Sequence, residues 1–145
     1  MPVLVSTRGC RAPTLARRLG RTGRRLLAAV KRPDDELSIL LVSDREMRRL
    51  NREYRDRVRA TDVLSFSQLE GEAPVADGLL GDVVISVDTA KRQAAERGEL
   101  VGAEGDRLLI HGLLHLLGYD HEGSEREARR MHRRERQLAR ALEDA

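Results

Sequence analysis

His111-Gly112-Leu113-Leu114-His115-Leu116-Leu117-Gly118-Tyr119-Asp120-His121 is the stretch on which the reading of this chain turns, and it holds three of the four histidines in the protein. His111 and His115 are four residues apart, so on a helix both rings project from one face, one turn above the other. Their ring nitrogens can then meet a single metal ion. His121 lies six residues beyond His115, where a continuing helix would carry it to the far side. Gly118 supplies the remedy: a glycine just past a helix end adopts the left-handed conformation cheaply and turns the chain back. His121 can then close on the same ion from a loop. Three imidazoles suit zinc, and three protein ligands leave a fourth position open for water, the mark of a catalytic rather than a structural site. A lone histidine beside leucines is ordinarily a satisfied core residue. Here three of them stand among Leu113, Leu114, Leu116 and Leu117, where an unpaired imidazole is costly. Metal ligation accounts for both facts.

The spacing His-x3-His-x2-Gly-x2-His is also that of the long zinc-peptidase helix motif. Peptidases place a glutamate directly after the first histidine as general base. That position is Gly112 here, so a peptidase mechanism lacks its proton acceptor while the metal site is unaffected.

Working outward, 145 residues with 40% apolar content suit one domain spanning 1–145. Cys10 is the only cysteine, which excludes an intramolecular disulfide, fits a reducing cytosol and reads as incidental. No apolar run reaches the length of a membrane span, and the first residues lack the apolar core of a secretory signal. The net charge of +3 is unevenly spread: residues 1–33 hold nine basic and no acidic side chains, whereas residues 34–122 are net acidic. The basic groups are nearly all arginine, whose fork pairs well with phosphate. Tyr54, Phe66 and Tyr119 are the only aromatics. A binder that stacks bases on exposed rings is thereby disfavoured, and any nucleic-acid partner must be held by phosphate contacts.

The periodicity predicts a short strand at Val3–Val5 and a helix over 12–30, weakened by Gly20 and Gly23. Leu15, Leu19, Leu26, Leu27 and Val30 fall near one face of that helix; Arg17, Arg18, Arg21, Arg24 and Arg25 fall mostly on the other, as a solvated surface. A turn at Pro33-Asp34-Asp35 precedes a buried strand, Leu37–Val42. Ser43 and Glu46 form a capping-box pattern for a helix to Tyr54. A polar connection over 55–61, a strand at Val63–Ser67, a loop over 70–80 and a strand at Asp82–Val87 follow. Asp88 can cap a helix to about residue 98, a further helix from about Ala103 carries His111 and His115, and Ser124 with Glu127 opens the last helix, docked by Leu138 and Leu142. This order predicts an α+β domain: a small mixed β-sheet with helices packed mainly on one face, the histidine helix lying against the sheet.

Three strings together resemble the bacterial YbeY family of metal-dependent endoribonucleases, which mature ribosomal RNA. They are the histidine run; Asn51-Arg52-Glu53-Tyr54-Arg55 with Thr61-Asp62-Val63-Leu64-Ser65-Phe66; and Gly81-Asp82-Val83-Val84-Ile85-Ser86. The resemblance covers roughly residues 37–135, including Met131 and Glu135. It implies a zincin-like fold, one zinc ion held by His111, His115 and His121, and a functionally important arginine at Arg55, which with His111 and His115 forms the expected catalytic set. It further implies a single-strand-specific endoribonuclease acting at the 3′ end of small-subunit (16S) ribosomal RNA and in ribosome quality control. The implied partners are single-stranded rRNA and the ribosome or its small subunit, in the cytoplasm, with neither membrane nor DNA. Two positions depart from the family pattern. Arg57-Val58 stands where a Lys-Asp pair is frequent, and Ala60 replaces the usual proline before Thr61-Asp62.

In that chemistry zinc can lower the pKa of its water toward about 7 and polarise a phosphoryl oxygen. A positioned guanidinium, Arg55, can stabilise the negative charge that builds on phosphate. Residues 45–59 carry seven arginines against three acids, consistent with a basic rim. Asp120 is either an outer carboxylate orienting a ligand ring or a turn residue. Thr61-Asp62 can fix the strand beside the site. His132, among Arg130, Arg133 and Arg134, reads as a surface residue. Two other function classes fit less well: a peptidase, against which Gly112 stands, and a non-catalytic ribosome assembly factor with a structural metal.

Overall fold

The computed structural model of the chain describes residues 3–54, 63–67, 78–119 and 123–143. In chain order the elements are β1 (Val3–Arg8), α1 (Pro13–Ala29), β2 (Glu36–Val42), α2 (Asp44–Glu53), β3 (Val63–Ser67), β4 (Leu79–Ser86), α3 (Val87–Arg97), α4 (Val101–Leu116) and α5 (Glu125–Glu143). The strands form one sheet in the order β1-β2-β4-β3. The first three run parallel and β3 pairs antiparallel with β4 at the edge, so the sheet is mixed, as expected. All of the 55–61 connection and most of the 70–80 loop lie outside the described residues.

Strand periodicity sorts the core into two layers. Leu37, Ile39, Leu41, Val63, Val83 and Ile85 face one way and join the buried leucines of α1 and α4 with Met131 and Leu138 of α5 in the main core. Leu40, Val42 and Val84 face the other way and meet Met47 and Leu50 of α2. Among the described residues the helices therefore pack mainly on one face, with α2 alone covering the other. Several boundaries move outward from expectation because pairing extends them. β1 continues to Arg8, opposite Val42, and β4 begins at Leu79, opposite Glu36. Gly23, read as a weak point of α1, is where that helix comes close to Val3 and Ile39. Arg18, placed with the solvated arginines, instead pairs with Asp106 of α4 at 2.8 Å, where Thr22 Oγ1 also donates at 2.8 Å. Arg17, Arg21, Arg24 and Arg25 are exposed. None of the helices among the described residues is long and apolar enough to cross a membrane.

The helix caps follow the sequence at α2 and α5. Ser43 Oγ accepts from the Glu46 N–H at 3.2 Å, and Ser124 Oγ accepts from the Glu127 N–H at 3.1 Å. At α3 the expectation is corrected: the cap is Ser86, whose Oγ accepts from the Thr89 N–H at 3.2 Å. Asp88 serves the neighbouring helix, accepting from the Asp44 N–H at 2.8 Å. Asp44 reciprocates, accepting from Ser86 Oγ, from Thr89 Oγ1 at 2.9 Å and from the Arg92 guanidinium at 2.6 Å. Arg92 first, then these hydroxyls, hold the Asp44 carboxyl down at about 2. A carboxylate whose folded pKa lies below its unfolded value stabilises fully above the unfolded value, and that stability is lost as pH falls through the folded one. Asp44→Asn should therefore be less stable than native protein by about 1 kcal/mol near neutrality, allowing for solvent screening. The gap should close between about pH 4 and pH 2. Urea midpoints of both proteins across that range test this; a gap unchanged with pH would refute it.

Candidate functional site

Helix α4 is apolar almost all round, with Leu108, Leu109, Ile110, Leu113, Leu114 and Leu116 buried, as befits a helix inside a core. It lies against β3 and β4 because position 112 carries no side chain. A Cβ there would stand 2.6 Å from Val83 Cγ1 and 3.1 Å from Val63 Cγ2. Ser65 of β3 donates its hydroxyl to the Gly112 carbonyl at 3.1 Å and ties the edge strand to the helix. Gly112 thus has a packing role that its comparison with a peptidase glutamate did not reveal.

At the C-terminus of α4, Gly118 takes φ +95°, the left-handed turn expected of it. The Tyr119 N–H reaches the Leu114 carbonyl at 2.9 Å and the Gly118 N–H reaches that of His115 at 3.0 Å, a Schellman closure. The Arg130 guanidinium of α5 lies 4.6 Å from the centre of the Tyr119 ring and holds α5 to this turn.

Within this frame His111 and His115 come together. Their Nε2 atoms are 3.2 Å apart and the rings meet edge to face. His115 is only 5% exposed, while the His111 side chain keeps 25%. His111 Nδ1 is 3.3 Å from Glu135 Oε2 on α5. A carboxylate only accepts, so this contact calls for a proton on His111 Nδ1, and in the neutral ring it is then Nε2, the nitrogen beside His115, that carries the lone pair. Two ring nitrogens this close must share a proton or a cation. Tetrahedral zinc with Zn–N bonds of 2.0–2.1 Å would separate two ligand nitrogens by about 3.3 Å, so the donor pair fits such an ion. Among the described residues no group of three His, Cys, Asp or Glu converges on one point. His121, the third expected ligand, lies outside the described residues, as do Asp120, Arg55 and Thr61-Asp62.

Other expectations are redistributed. Arg45, Arg48, Arg49 and Arg52 stand on α2, across the sheet from α4, so the described part of the basic segment does not line the histidine face. Arg49 is bound to Glu46 and Glu53 along its own helix. Asp82 projects to the α2 side, where burial pushes its carboxyl up. His132 is 71% exposed in its side chain, as a surface residue should be. Glu135 was given no role by sequence reasoning. Its signal is positional: it follows Met131 by four residues and precedes Leu138 by three, a carboxylate set on the buried stripe of an otherwise charged helix.

A family model described as Endoribonuclease YbeY matches residues 15–143. A protein named Endoribonuclease YbeY from Anaeromyxobacter sp. (strain Fw109-5) is 55% identical over 141 residues, covering 97% of this chain and 72% of that protein. Its namesake from Geobacter metallireducens is 45% identical over 145 residues, covering 99% of this chain and 97% of that one. In three dimensions the chain is similar to the solution structure of TM1509 from Thermotoga maritima. The TM-score is 0.64 at 25% identity, over 97% of this chain and 88% of the other.

Proposed function

The chain belongs to the endoribonuclease YbeY family, and on that premise we propose that it is a metal-dependent endoribonuclease cutting single-stranded RNA. The observation that supports this most directly is the pair of Nε2 atoms 3.2 Å apart on a buried helix, a separation and donor type that suit zinc. His111 and His115 would hold the ion, with His121 as third ligand. Bound there, zinc supplies an acidified water and a Lewis acid for a phosphoryl oxygen. The surrounding leucines keep bulk water from the inner side of the pair and strengthen electrostatic interactions there. Arg55 pairs with the phosphate as its negative charge grows. Gly112, pressed against Val83, offers no proton acceptor where a peptidase has one.

The substrate in this reading is the 3′ end of small-subunit ribosomal RNA, reached on the ribosome or its small subunit, with a part in ribosome quality control. The protein acts as one domain in the cytoplasm, without membrane or DNA. The test is cleavage of a single-stranded rRNA 3′-end fragment by purified protein, before and after chelation and with zinc restored. Cleavage lost on chelation and regained with zinc supports the proposal. A folded, zinc-loaded protein that leaves both the fragment and the intact small subunit uncut overturns it in favour of an assembly factor. Arg55→Ala should retain native zinc content yet lose about 100-fold or more in cleavage rate, the scale of one transition-state donor. Normal cleavage by that variant would remove Arg55 from the mechanism.

A further inference from the structure

Glu135 is reached from a separate helix, 24 residues beyond the ring it touches. Fully buried Met131 and Leu138, four residues before and three after, dock α5 and set the carboxylate on its inner side. One oxygen, Oε2, faces His111 Nδ1 at 3.3 Å; the other, Oε1, faces His132 Nδ1 at 3.5 Å on the solvent side. We infer that Glu135 is a positioning residue for the metal centre: it fixes the tautomer and rotation of His111 so that Nε2 presents its lone pair toward His115. The inference rests on the metal reading above. An imidazole can carry its proton on either nitrogen and turn about its side-chain bonds, and only one arrangement offers Nε2 to a cation beside His115. A carboxylate at Nδ1 selects that arrangement before any ion arrives and raises the basicity of the ligating nitrogen.

A plain brace between α4 and α5 is the competing role. Docking of α5 already has Met131, Leu138 and the stacking of Arg130 on Tyr119. The carboxylate is therefore placed to act on the ring more than to hold the helix.

The experiment titrates zinc into metal-free full-length protein against a chromophoric chelator, for the native chain, Glu135→Ala, Glu135→Gln and His132→Ala. Thermal midpoints of the metal-free proteins are recorded alongside. Glu135→Ala should lower zinc affinity about 10–100-fold, the range for loss of an outer-shell partner, with a near-native metal-free midpoint. Glu135→Gln keeps a carbonyl acceptor at the same place and should recover much of the loss. His132→Ala, which touches only the outer oxygen, should bind as native protein does. Cobalt substituted for zinc should show an altered visible spectrum in Glu135→Ala alone. Native zinc affinity in a folded Glu135→Ala protein overturns the inference while leaving the metal reading intact. So does a variant that is merely less stable but whose folded fraction binds zinc normally. A native protein that takes up no zinc overturns both.

Discussion

His115→Ala is expected to lose more than about 100-fold in zinc affinity, beyond the 10–100-fold typical of an outer-shell partner, and RNA cleavage is expected to fall with it. The physical reason is that His115 contributes one of the two nitrogens that stand 3.2 Å apart, and it does so from a site only 5% exposed. Water cannot easily substitute for a ligand on the inner side of a leucine-lined helix. Alanine also leaves a void beside the core, so the metal-free variant should be less stable by about 1–3 kcal/mol. Zinc content by mass spectrometry and cleavage of an end-labelled RNA should therefore be measured where denaturation curves show the variant to be folded. Loss of both zinc and cleavage in a folded variant is the expected result. A folded His115→Ala protein with native zinc content and native cleavage would remove the histidine pair from the function. Undiminished cleavage with the zinc lost would show that the reaction does not use the ion.

Gly112→Glu is expected to be the most damaging single change to the fold. It would restore the residue that a zinc peptidase carries next to its first histidine. Here it has no room: a Cβ alone meets the stiff, fully buried side chain of Val83 at 2.6 Å, and Val63 at 3.1 Å. Overpacking of this kind costs about 1–3 kcal/mol, which is the expectation for Gly112→Ala. An unpaired carboxylate pressed into the same interface adds several more, so Gly112→Glu should lose at least about 4 kcal/mol or fail to fold. Guanidinium denaturation of both variants measures this. Native-like stability in Gly112→Glu would mean that α4 can lift from the sheet, and the packing account would be wrong. Peptidase activity would not be gained in either case, because a helix displaced from β3 also loses the Ser65 bond that fixes it.

Much of this fold was legible because its signals are local. A short, nearly continuous apolar run, Leu37–Val42, marked β2 as a strand buried on both faces, and Ser43 and Ser124 marked the starts of α2 and α5, since a cap bonds an N–H only three residues on. The reading failed at Asp88 for an instructive reason. Its carboxylate reaches the Asp44 N–H, 44 residues away in sequence, while Ser86 takes the local role. A side chain that can cap its own helix will cap a neighbour when packing brings that helix end closer. Likewise the arginines of α2 suggested a rim beside the histidines, but nothing in their spacing says which face of the sheet α2 will cover.

The histidine pair follows from sequence alone, because a four-residue spacing on an α-helix is a property of helix geometry and needs no other part of the chain. The left-handed turn at Gly118 follows too, since glycine adopts positive φ without a Cβ clash. Only the tertiary structure decided what surrounds that pair. Gly112 sits against Val83, Ser65 bonds across 47 residues to its carbonyl, and Glu135 meets His111 from a helix 24 residues on. These contacts depend on how closely two elements approach and which stripes they turn toward each other. Burial of apolar surface over the whole chain settles those distances, and no window of neighbouring residues encodes them.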